Sequence, residues 1–142
     1  RRMKESGNVL LTGGEKTALG ILVFDVTSAP SGYVAENADV VAKFLAVTAA
    51  ANTEWNASQP AAMLAAVAKD AGMSEADAAS SMGTFVFPDV DAQLSGGWLG
   101  GAAQTFMKGV ADVFVGAGAI DSAKDSYADN VNVGPLNAAK GM

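Results

Sequence analysis

Ile21-Leu22-Val23-Phe24-Asp25-Val26-Thr27 is the stretch on which the fold turns. It is a continuous β-branched and aromatic run, stopped by Pro30 and Gly32. Apolar runs of this length between turn residues are the pattern of a strand covered on both faces. One residue interrupts it, because Asp25 stands between Phe24 and Val26. An ionised carboxylate buried in such a strand is costly unless a cation or a set of donors meets it. Two readings stay open at this point. Asp25 belongs to a structural ion pair or bonds backbone at a strand end, or it faces a ligand ammonium in a cleft lined by Phe24.

Toward the amino terminus the chain is polar and punctuated by glycine. Arg1 to Ser6 reads as a helix end stopped by Gly7. Val9-Leu10-Leu11-Thr12 reads as a short strand and Gly13-Gly14 as a turn before a short helix. Gly13-Gly14-Glu15-Lys16-Thr17 lacks the first glycine of a phosphate loop and has Glu15 where a glycine must precede the lysine, so no phosphate-binding nest is specified. Arg1-Arg2-Met3-Lys4 leads into no apolar h-region, so no signal peptide is expected. A start on this charged, helix-like end reads as a fragment with upstream sequence missing.

Beyond Pro30 the periodicity becomes helical, and residues 38–118 are expected to be mainly helix. Val41, Phe44, Leu45, Thr48, Ala51 and Trp55 recur at helical spacing between Asp39 and Trp55, with Asn37 as the expected N-cap. A second helix opens at Pro60 and stops before Gly72. A third opens on Ser74-Glu75-Ala76-Asp77, a capping box with Asp in place of Glu. The longest helix is expected from about Gly97 to Ala117, with Leu99, Ala102, Ala103, Phe106, Val110, Val113, Phe114 and Ala117 on one stripe. Gln104, Lys108 and Asp112 lie opposite it. The tail after Tyr127 reads as surface chain.

Composition excludes whole classes of function. Neither histidine nor cysteine occurs in the 142 residues, which removes cysteine nucleophiles, Ser-His-Asp triads, histidine bases and the zinc sites built on those residues. The net charge of −6 disfavours nucleic-acid and anionic-membrane partners. Lys43, Lys69, Lys108 and Asp112 interrupt the longest apolar stretches, so no membrane span is expected. Asp89 with Asp91, and Asp121, Asp125 and Asp129 beside Lys124, read as solvated charge and helix capping rather than a metal site. No enzyme, metal or cofactor is expected.

Several segments, in order along nearly the whole chain, resemble the periplasmic taurine-binding proteins of ABC importers and, more broadly, the aliphatic-sulfonate-binding family. They are Val9-Leu10-Leu11-Thr12-Gly13, Phe24-Asp25-Val26, Glu36-Asn37-Ala38-Asp39-Val40-Val41-Ala42, Ala71-Gly72-Met73-Ser74, Phe87-Pro88, Gln93-Leu94, Trp98-Leu99-Gly100 and Lys108-Gly109-Val110-Ala111-Asp112. The resemblance implies an α/β fold, the carboxy-terminal part of a type II periplasmic-binding fold, mostly helical here with about two short strands near 9–12 and 22–28. Residues 1–20 would finish the second lobe. Residues 21–142 would supply the returning crossover strand and the helices of the first lobe, and the amino-terminal half would be absent.

The resemblance also implies a ligand site at Asp25 and Phe24, with the Asp25 carboxylate toward the amine of a taurine-like solute. The partners would be a small-molecule ligand, ABC permease subunits and the missing amino-terminal half, and the location would be periplasmic. Leu22-Val23 stands where Pro-Thr is common in the family, and Ser28-Ala29-Pro30 replaces a more apolar strand end. The rival readings are a binding protein for another small solute, such as an alkanesulfonate with no use for Asp25, and a helical protein-interaction module with an exposed apolar patch.

Overall fold

The computed structural model describes residues 6–142, and among them every regular element is helical. Eight α-helices follow one another: α1 Gly13–Ala18, α2 Ser31–Glu36, α3 Ala38–Ser58, α4 Ala61–Asp70, α5 Glu75–Met82, α6 Val90–Leu94, α7 Ala102–Gly116 and α8 Gly134–Ala139. A single 3-10 turn at Ala128–Asn130 precedes α8. Of the expected helix end at Arg1–Ser6, only Ser6 is described.

The expected α/β class is overturned, because no strand occurs among the described residues. A strand exists only where a second backbone pairs with it, and neither expected strand finds one. Residues 9–11 run directly into the cap of α1. Residues 21–30 carry no regular structure, and no backbone–backbone hydrogen bond among the described residues involves 22–29. The apolar run is also covered on one side only. Leu22 and Phe24 are half-buried, while Ile21, Val23, Asp25, Val26 and Thr27 are exposed.

The helix boundaries follow from local chemistry. Thr12 caps α1 through a full capping box: its hydroxyl accepts from Glu15 N, and the Glu15 carboxylate accepts from Thr12 N at 2.7 Å. Ser74 caps α5, accepting from Asp77 N at 3.1 Å, and Asp89 caps α6, accepting from Ala92 N at 2.7 Å. Asn37 occupies the cap position of α3 but makes no side-chain cap. Its amide instead donates to Tyr33 O at 3.0 Å, satisfying the end of α2. Pro60 sits one residue outside α4 rather than in its first turn. Gly72 and Gly118 adopt positive φ after α4 and α7. There Met73 N reaches back to Ala68 O and Ala119 N to Phe114 O, the bonds of a left-handed helix stop.

Further expectations are corrected. The longest helix is α3, with 21 residues, and α7 starts at Ala102 rather than Gly97. Residues 95–101 form a glycine turn closed by Leu99 N to Gln93 O and Ala102 N to Gly96 O. A Cβ on Gly100 would lie 2.7 Å from Leu94 O, so the backbones there pack too closely for helix to begin earlier. Gln104 does not face solvent. It is half-buried and donates to Leu99 O at 2.6 Å, tying α7 to that turn. The tail, in turn, does not lie loose. Leu136 and Ala139 of α8 are buried, α8 packs on α3, and Lys140 pairs with Asp91.

The core is built mainly from alanine. Ala42, Ala68, Ala78, Ala103, Ala111 and Ala139 are buried, and Trp55 and Leu136 are the large side chains among them. Small side chains let helix backbones approach closely, but each withdraws little apolar area from water.

Candidate functional site

Phe24 is the best-held residue of its segment. Its ring meets Trp98 edge-on at 5.8 Å and 84°, and Phe106 of α7 at 5.6 Å and 62°. Such pairs contribute about 0.5–1.5 kcal/mol each beyond the area they bury. They pin a stretch of chain that has no hydrogen-bond ladder to hold it. Sequence reading placed Phe106 on the apolar stripe of α7 and Trp98 at the entry of that helix. It could not show that both converge on Phe24.

Beside Phe24 lies an apolar depression of about 540 Å³, wide open to solvent. Its walls are Leu22, Val23 and Phe24, then Phe106, Met107, Val110, Ala111 and Phe114 of α7, with Ile120 and Tyr127 completing the lining. The volume is within the usual range for a small-molecule site. No charged side chain lines it.

Asp25 follows Phe24 in sequence yet is not part of that lining. It is exposed and makes no hydrogen bond or ion pair with another described residue. Burial therefore forces no partner on Asp25, because its carboxylate stays solvated. Its claim to a ligand rests on the resemblance and on its position next to an anchored ring.

One lining residue, Tyr127, has a cation beside it, Lys124. Its ammonium stands 5.9 Å above the Tyr127 ring and donates to Asn130 Oδ1 at 3.0 Å. Tyr127 is a lining residue that sequence reading passed over. Its position three residues from Lys124 was the available signal. Among the described residues no group of three or more acidic side chains gathers at metal-binding distance, and Asp89 and Asp91 are used in capping α6 and pairing Lys140. What the arrangement offers is an apolar wall, aromatic edges and an adjacent free carboxylate, which suits non-covalent capture.

No protein-family profile, curated protein or solved structure matches the chain.

Proposed function

We propose that this chain belongs to the periplasmic solute-binding component of an ABC importer and helps to capture taurine or a similar amino-sulfonate. Asp25 meets the ammonium, Phe24 packs against the carbon chain, and no reaction is catalysed. The observation that carries the reading is a contrast within one dipeptide. Phe24 is fixed by Trp98 and Phe106, while Asp25 beside it is exposed and paired with no described residue. A carboxylate whose backbone is anchored but whose oxygens are free is positioned for a charge-assisted hydrogen bond to a cationic ligand. The ordered resemblance to taurine-binding proteins gives that cation its chemistry. The absence of histidine and cysteine suits binding without catalysis. No helix among the described residues is long and apolar enough to cross a membrane.

Calorimetry of taurine and ethanesulfonate against wild type and Asp25→Asn, in the protein that carries this chain, tests the reading. Asp25→Asn removes the charge but keeps the shape, so taurine affinity falls while ethanesulfonate, which has no amine, is nearly unaffected. Equal losses for both ligands would make Asp25 structural, and an unchanged taurine affinity would remove it from the site.

A second reading, a helical protein-interaction module, is favoured by a separate observation. Val40, Phe44 and Val47 of α3 are 55%, 57% and 71% exposed, at the i, i+4, i+7 spacing of an anchor face.

A further inference from the structure

α3 has two apolar faces: one is covered, and the other is open over its amino-terminal half, since Trp55, on the same side as Phe44, is buried and meets Phe87. Ala42, Leu45, Ala46 and Ala49, with Asn52 continuing the same side, are buried or half-buried, and α8 packs against this helix. At 3.6 residues per turn, Val40, Phe44, Val47, Ala51 and Glu54 form a line on the opposite side, flanked by Lys43 and Ala50. Apart from half-buried Ala51, all of these are exposed. The whole chain shows the same imbalance. It exposes 10168 Å², whereas a compact protein of 14.2 kDa exposes about 6,800 Å². The surplus is several times the roughly 800 Å² that each partner contributes to a standard interface.

We propose that the outer face of α3 is a self-association surface, pairing antiparallel across a two-fold axis with α3 of a second copy of this chain. The choice of occupant comes from the pattern along the face. Its large exposed apolar residues, Val40, Phe44 and Val47, are in the amino-terminal half, and beyond them the small Ala50 and Ala51 precede Trp55, which is buried. Antiparallel pairing sets large against small. Val47 of one copy enters the hole formed by Val47, Ala50, Ala51 and Glu54 of the other, and Phe44 flanks that contact. The same register sets Lys43 of each copy beside Glu54 of the other, so this pair of opposite charges is made twice. A parallel pairing would oppose large to large and like charge to like charge.

Sedimentation equilibrium of the 142-residue chain across a concentration series decides it, with wild type, Phe44→Glu, Lys43→Glu, Glu54→Lys and the Lys43→Glu/Glu54→Lys double variant. The expected result is a closed dimer for wild type and a monomer for Phe44→Glu. Each single charge reversal lowers the association constant at least about threefold, and the double variant returns to within about twofold of wild type, as surface ion pairs of modest strength allow. Far-UV circular dichroism checks each variant. If Phe44→Glu proves misfolded, the charge series alone decides, since both charged residues are exposed. A monomeric wild type, open-ended aggregation, a dimer indifferent to Phe44→Glu in the folded variant, or a double variant no better than the singles would each overturn the proposal.

Discussion

Truncating Trp55 to alanine is the most direct test of whether the α3–α8 half is held as described. Trp55 is 8% exposed and is the largest side chain of the core. Its ring stands 6.3 Å and 71° from Phe87, and the neighbouring Asn56 amide donates to Phe87 O at 2.7 Å, bridging 31 residues of sequence. Removing the indole gives up an aromatic burial of about 150–250 Å² and the edge contact with Phe87. Large aromatic-to-alanine changes in cores cost about 3–5 kcal/mol. Domains commonly have only about 5–15 kcal/mol in total, and most of the other buried residues here are alanines, so Trp55→Ala should bring the chain close to unfolding at ambient temperature. Urea titration followed by far-UV circular dichroism reads the loss. Fluorescence then reports Trp98 alone, the second of the two tryptophans. Trp55→Phe, which keeps a ring against Phe87, should lose markedly less. A loss below about 1 kcal/mol for Trp55→Ala, the size of an ordinary surface change, would refute the placement of this ring in the core.

Other expectations follow from single contacts. The Glu15 carboxyl titrates below the ordinary value of 4.5, first because it accepts from the Thr12 backbone and then from the Thr12 hydroxyl. A depressed acid stabilises α1 above its unfolded value and loses that contribution as pH falls through the folded one. Amide protection factors in α1, taken relative to the intrinsic exchange rate at each pH, should therefore fall on acidification below about pH 4.5, and Glu15→Gln should abolish that pH dependence. Gly100→Ala forces a Cβ to within 2.7–2.9 Å of the Leu94 and Ser95 backbone and should destabilise by about 1–3 kcal/mol. Gly109→Ala, mid-helix with open space around its Cβ, should stabilise by about 0.5–1 kcal/mol. Thermal melts of the two variants should move in opposite directions.

The helices were legible because their determinants are local. Ser74 three residues before Asp77, the Gly72 and Gly118 stops, and the repeat of Trp55 with Leu45 and Thr48 are all readable within a few turns of chain. Elements depending on a distant partner were not. Ile21 to Thr27 has the composition of a strand, but composition cannot supply the second backbone. Leu136 and Ala139 looked like tail residues because the surface they fill lies on α3, far back along the chain. The aromatic meeting of Phe24, Trp98 and Phe106 joins segments from widely separated parts of the sequence, and no spacing rule reaches that far. Asp25 was singled out for a burial it does not have, yet the same residue remains the candidate, now for its freedom.

The failure of the strand reading and the uncovered face of α3 have one physical root. A run such as Ile21 to Val26 resists solvation on both faces, yet the structure covers only Leu22 and Phe24 and leaves Ile21, Val23 and Val26 exposed. Val40, Phe44 and Val47 repeat the imbalance on a helix, and Val113 and Phe114, 70% and 50% exposed, repeat it on α7. At about 25 cal/mol per Å² of apolar surface, exposure on this scale is a standing free-energy gradient toward association. Alanine-lined contacts within the chain cannot relieve it, because small side chains bring backbones close without removing large areas from water. The apolar residues that the internal packing leaves over are therefore the ones available to another body. Phe24 and Asp25 lie on the same kind of border: one side chain is committed to the fold and the next faces outward.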